Sequence, residues 1–128
     1  MREIKFRAWN KRDNVMEYNV NINQGKPVKQ GYQWVNTENT ETVYHSPLQQ
    51  YTGLKDKNGK EIYEGDIAKS GKRLFVARWN NDIASFVWKP LDSEISHPCF
   101  NVGTVKNMEI VGNVYENPEL LEDEKRLI

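Results

Sequence analysis

Tyr51-Thr-Gly-Leu-Lys-Asp-Lys-Asn-Gly-Lys-Glu-Ile-Tyr-Glu-Gly-Asp-Ile67 sets Gly53, Gly59 and Gly65 between apolar anchors. Glycine reaches positive-φ backbone that a Cβ penalises. Asn58-Gly59 is the strongest short signal for a hairpin turn, and Ile62 and Tyr63 anchor the returning strand. Gly65-Asp66 bends the chain again. The Asp66 carboxylate suits nearby backbone N–H groups, and Ile67 opens the next strand.

Downstream, Arg73-Leu-Phe-Val-Ala-Arg-Trp79 is the clearest core strand. Asn80-Asn-Asp82 turns it into a second, Ala84-Ser-Phe-Val-Trp-Lys89. Pro90 to Pro98 reads as a loop. Cys99–Val102 and Met108–Tyr115 read as the last strands, linked by Gly103 to Asn107. Asn117-Pro118-Glu119 combines a cap, a first-position proline and a first-turn acid, so a short terminal helix follows. Short, closely spaced strands from about residue 50 to 115 predict a small, bent antiparallel barrel.

Upstream, Ile4, Phe6 and Ala8 alternate with charged residues, and Met16, Tyr18, Val20 and Ile22 do so with polar ones. Asn10-Lys-Arg-Asp-Asn14 separates the runs, so a hairpin is predicted. Arg2, Lys5, Arg7, Lys11 and Arg12 make this end basic, and their expected setting is solvent. Residues 23–50 are rich in Asn, Gln and Thr and carry the weakest pattern. Tyr32–Val35 and Glu41–His45 read as short strands around a polar insertion. The predicted organisation is a hairpin and connecting region over 1–50, then a barrel with a terminal helix over 51–128.

Eighteen basic and eighteen acidic residues cancel, so no global field draws in nucleic acid or an anionic membrane. The aromatic fraction, 11%, predicts a folded chain. A lone Cys99 forms no internal disulfide, which suits a reducing cytoplasm. The N-terminus lacks signal-peptide patterning, and no apolar run approaches the roughly 20 residues that cross a bilayer.

Catalytic chemistry finds little support. Cys99 follows His97-Pro98 without an orienting motif, and reads as a small core residue. His45, His97 and Cys99 are too sparse for a structural metal, so no metal or cofactor is expected. Glu61, Glu64 and Asp66 cluster, yet an aspartate beside a turn glycine more often caps backbone. Binding is the better reading. Trp79 and Trp88 flank a turn, with Arg73 and Arg78 near them. Aromatic faces beside cations bind single strands, and aromatic grooves bind peptides. The competing reading places Phe75, Trp79, Phe86 and Trp88 in the core.

Three blocks, Arg2–Asn10, Tyr51–Ile67 and Gly112-Asn-Val-Tyr-Glu-Asn-Pro-Glu-Leu-Leu121, resemble the YopX-like family of bacteriophage and prophage proteins. Residues 20–50 carry no resemblance, and Ala68 stands where a bulkier β-branched residue is expected. The resemblance implies an SH3-like barrel in the C-terminal part and a bacterial cytoplasmic setting; it implies no biochemical activity. The combined expectation is a mainly β protein: an N-terminal β-hairpin region, a small SH3-like barrel and a short C-terminal helix. It is expected to be no enzyme but a binding module engaging nucleic acid or a host or phage protein, with Arg73, Arg78, Trp79 and Trp88 as candidate contacts. Self-assembly into a homo-oligomer through the hairpin edge is the alternative. An enzyme centred on Glu64, Asp66 and His97 ranks last.

Overall fold

Four residues, Lys11 to Asn14, turn β1 (Phe6–Asn10) back into β2 (Val15–Tyr18), with Arg7 opposite Tyr18 and Asn10 opposite Val15. The Asn10 side-chain oxygen accepts the N–H groups of Arg12 at 3.0 Å and Asp13 at 2.9 Å. Asn14 closes the turn at φ 53°, which asparagine tolerates. The computed structural model describes residues 3–23, 26–29, 32–33, 45–92 and 102–121. The protein is mainly β, and the chain divides into two compact units, Met1–Tyr51 and Thr52–Ile128.

In the first unit, β3 (Asn21–Asn23), β4 (Lys26–Lys29) and β5 (Tyr32–Gln33) form a small antiparallel sheet in that order. The sequence does not announce it. Pro27 lies in its middle strand, opposite Ile22, and a proline demotes a run as a strand candidate. Of the two short strands expected here, Tyr32 and Gln33 are extended; residues 34–44 lie outside those described. At His45 the chain returns to β1 by a bridge to Asn10, and Ser46 N–H donates to the Trp9 carbonyl at 2.9 Å. β6 (Gln49–Lys55) then pairs its first two residues with Arg7 and Phe6.

β6 runs on into the second unit, where β7 (Glu61–Tyr63) is its neighbour. β8 (Asp66–Ser70), β9 (Arg73–Asn80), β10 (Ser85–Pro90) and β11 (Glu109–Asn113) form an antiparallel sheet ordered β10-β9-β8-β11. In this unit the strands curl into a half-barrel. Its core joins Ile62, Ala68, Phe75, Ala77, Trp88, Val105, Met108 and Ile110, with Leu54 against it. Small residues oppose large ones: Ala68 faces Phe75 across the ladder, and Ala77 faces Trp88. That pairing explains Ala68, because a bulkier residue competes with the Phe75 ring for one space.

Val102–Val105 is a helical turn, α1, where a strand end and a link are expected. The turn sets Val105 and Met108 three residues apart on one side, and both enter the core. A second short helix covers 118–121.

The β9–β10 turn repeats the β1–β2 construction. Asn80 pairs with Ser85, and the Asn80 side-chain oxygen accepts the Asp82 N–H at 2.9 Å. The left-handed position here falls to Ala84, at φ 50°. Alanine there costs about 1 kcal/mol, with no side-chain hydrogen bond to offset it. Ala84→Gly is therefore expected to raise stability by about 0.5–1 kcal/mol after glycine's larger unfolded-state entropy is subtracted. A urea midpoint that stays put or falls contradicts the strain.

Candidate functional site

The polar residues of the central block turn out to hold backbone. Asp56 is buried; its Oδ1 accepts the N–H groups of Asn58 at 2.8 Å and Lys60 at 2.9 Å. Its Oδ2 accepts the Ile110 N–H at 2.8 Å. One carboxylate thus closes the β6–β7 turn and ties it to β11. Gly59, at φ 82°, takes the left-handed position and donates its N–H to the Asp56 carbonyl at 3.0 Å. Asp66 is buried and accepts the Tyr63 N–H at 2.8 Å, the backbone role expected of it.

The C-terminal block works the same way. Asn113 is buried, and its side-chain oxygen accepts the N–H groups of Tyr115 and Glu116. Asn117 begins the 118–121 helix, but its side-chain oxygen turns back to the Asn113 N–H at 3.2 Å. A Cβ on Gly112 would run into the Asn117 side chain, so any larger residue there forces that side chain to shift. Val114 N–H donates to the Gly65 carbonyl, which joins the two blocks.

The four residues singled out for binding do not converge. Trp88 is 1% exposed and belongs to the core, which removes it as a contact surface. It shares that core cluster with Ile62 of β7, Val105 of α1 and Ile110 of β11. Arg73 is ion-paired with Asp92 at 2.8 Å, its guanidinium 5.2 Å from the Phe75 ring centre. It lies six positions before Trp79, about 20 Å along an extended strand. Arg78 is exposed, but as the neighbour of Trp79 on β9 it points to the opposite face.

Trp79 alone of the four is an aromatic ring left at the surface. It is 45% exposed and stands opposite Phe86 in the ladder. The two rings meet edge to face, with centroids 5.1 Å apart at 76°. Its indole Nε1 donates to the Asn81 side-chain oxygen at 2.7 Å. Ile83 is 51% exposed at the same hairpin tip. The tip therefore presents Trp79 and Ile83, with Phe86 supporting the indole. Sequence reading missed Ile83 and Asn81, because both look like ordinary turn residues. The available signal was an apolar residue inside a four-residue turn, next to an aromatic strand end.

A second group was also missed. Arg7, expected in solvent, is 2% exposed. Its Nε donates to Gln49 Oε1 at 2.7 Å, and its guanidinium lies 6.0 Å from the Tyr18 ring centre. Buried charge requires such partners. Glu17 and His45 are buried too, with His45 Nε2 2.8 Å from Glu17 Oε1. Asn10 Nδ2 reaches Glu17 Oε2 at 3.5 Å and Asp13 Oδ2 at 3.3 Å. These contacts fasten the segment after residue 44 to the hairpin. Their partners are 28 and 42 residues apart in sequence, so no local pattern marks them.

Among the described residues no group of three or more His, Cys, Asp or Glu is placed to hold a metal ion. His97 and Cys99 lie outside the described residues. No described helix is long and apolar enough to cross a membrane.

The architecture defines a small, mainly β protein whose turns are tied down by Asp and Asn side chains. The chain belongs to the YopX family: a family model described as "YopX protein" matches residues 5–122, nearly its whole length. It is also similar to the crystal structure of protein EF1440 from Enterococcus faecalis. That similarity has a TM-score of 0.65 at 27% identity, and covers 94% of this chain and 99% of that one. No curated protein matches the sequence. The family expected from the three blocks and the mainly β fold are both borne out.

Proposed function

We propose that this chain is a non-catalytic binding module of the bacterial cytoplasm that docks a host or phage protein through the tip of the β9–β10 hairpin. The observation that carries this reading is Trp79: a large aromatic left 45% exposed, yet fixed by Phe86 and Asn81. A side chain already held in one position loses little entropy on binding. Tryptophan is also the residue type most enriched among those that dominate interfaces. Because the indole N–H is already bonded to Asn81, the surface left for a partner is apolar. A pocket for the ring suits it better than a hydrogen-bond acceptor does. The carboxylates Asp56 and Asp66 hold backbone, which supports a non-catalytic reading.

A protein partner is favoured over nucleic acid by the placement of charge. Arg73 is paired with Asp92, Arg78 faces away from Trp79, and Asp82 sits in the turn. Among the described residues of this hairpin, phosphate finds no cationic track beside the ring. Trp79→Ala is expected to weaken partner binding by about 2 kcal/mol, roughly 30-fold, with the fold retained. Titration of wild type and variant with a host or phage protein isolated by crosslinking from the hairpin tip tests this. Salt-sensitive quenching of tryptophan fluorescence by DNA or RNA oligonucleotides, lost in the variant, shifts the reading to nucleic acid.

Self-association is a second reading. Ile4, Val15 and Tyr18 are 60%, 47% and 50% exposed, and β2 lies at the end of its sheet. A sedimentation mass of one chain at micromolar concentration removes it.

A further inference from the structure

We infer that Asn58 is a site of spontaneous covalent modification, converting through a cyclic imide to aspartate and isoaspartate. Asn58 and Gly59 are exposed at the β6–β7 turn. The Asn58 backbone N–H is held by Asp56, but its carboxamide takes no hydrogen bond among the described residues. Five other asparagines use theirs. The side-chain oxygens of Asn10, Asn80, Asn81, Asn113 and Asn117 each accept a hydrogen bond that builds a turn or fixes a ring. The residue that follows matters as well. A Cβ built on Gly59 meets nothing within 4 Å, so no residue beyond its chain neighbours crowds that side of its α-carbon. With no Cβ of its own, Gly59 leaves the approach of the Asn58 side chain unhindered.

The chemistry needs only water. The Gly59 backbone nitrogen loses its proton to solvent and attacks Asn58 Cγ. The new C–N bond forms as the Cγ–Nδ2 bond breaks, and ammonia leaves with a proton from water. Water then opens the five-membered imide. Cleavage between Cγ and the Gly59 nitrogen gives aspartate; cleavage between the Asn58 main-chain carbonyl carbon and that nitrogen gives isoaspartate. No oxidation state changes. One contact restrains the first step: the Gly59 N–H is donated to the Asp56 carbonyl at 3.0 Å, so the turn must open briefly for attack.

The site lies where a change is felt. Asp56 Oδ1 holds both Asn58 and Lys60, while Oδ2 holds Ile110. Isoaspartate inserts a methylene into the backbone between the two Oδ1 bonds. The modification thus loosens the link between the β6–β7 turn and β11.

The test is incubation of the full chain at mildly alkaline pH, folded and in urea, followed by peptide mapping and enzymatic labelling of isoaspartate. The expected result is aspartate and isoaspartate at position 58 of the folded chain, ahead of Asn10, Asn80, Asn81, Asn113 and Asn117. The label is lost in Asn58→Gln. The inference is overturned if folded Asn58 persists while the urea-unfolded chain converts, or if another of those asparagines converts first.

Discussion

Trp88→Ala is expected to lower stability by about 3–5 kcal/mol, the usual cost of emptying a large aromatic site in a core. The indole is fully covered, and Ala77 stands across the ladder from it. Ala68 belongs to the same cluster, so small neighbours cannot swing in to refill the space. Domains of this size have about 5–15 kcal/mol in total, so the variant approaches the limit of folding. Urea unfolding followed by circular dichroism reads the loss directly. Trp79→Ala supplies the contrast, because its ring is half in solvent and is expected to cost far less. If both variants unfold at the wild-type midpoint, the assignment of Trp88 to the core is wrong.

Asp56→Ala carries the second large effect, about 2–4 kcal/mol. Three backbone N–H groups lose a charged acceptor, and the buried Ile110 N–H is left with nothing in its place. The damage is local in origin, so hydrogen exchange is the sharper readout. The amides of Asn58, Lys60 and Ile110 are expected to exchange faster together, before the rest of the half-barrel loosens. Asp56→Asn, with a single carbonyl oxygen, is expected to fall between wild type and alanine. Unchanged protection at Ile110 in the alanine variant contradicts the role given to Asp56.

Both effects concern residues whose types the sequence makes conspicuous, yet the two were not equally legible. Turn chemistry is local and was readable. Gly65-Asp66 bends the chain with Asp66 on backbone, and Asn10 and Asn80 each build an Asx turn. Residues 73–79 form a core strand because Phe75, Val76 and Ala77 are buried on both faces. The separation of Trp79 from Trp88 was not readable. Register puts Phe75, Ala77, Trp79, Phe86 and Trp88 on one face, and only distant elements decide which are covered. Ile62, Val105 and Met108 share the buried cluster with Trp88, and Trp79 lies one same-face pair nearer the turn, outside that cluster. Long-range polar pairs were hidden for the same reason. Nothing near Arg7 in sequence announces Gln49, and nothing near Glu17 announces His45. The helical turn at Val102–Val105 was missed because a run this short has no period to detect.

The three blocks that carry family membership are therefore informative about fold rather than about chemistry. Asn10, Asp56, Asp66, Asn113 and Asn117 in them accept backbone N–H groups, and the binding surface proposed for this chain lies between blocks, at residues 79–86. That surface is tested most directly by placing the photoreactive residue p-benzoylphenylalanine at position 83, with a matched control at exposed Lys69, and irradiating cells of the cognate bacterial host. A discrete protein adduct is expected from position 83 that the control does not give and that Trp79→Ala abolishes. No adduct at position 83, the same adducts from both positions, or only an adduct with a second copy of this chain contradicts the proposed surface.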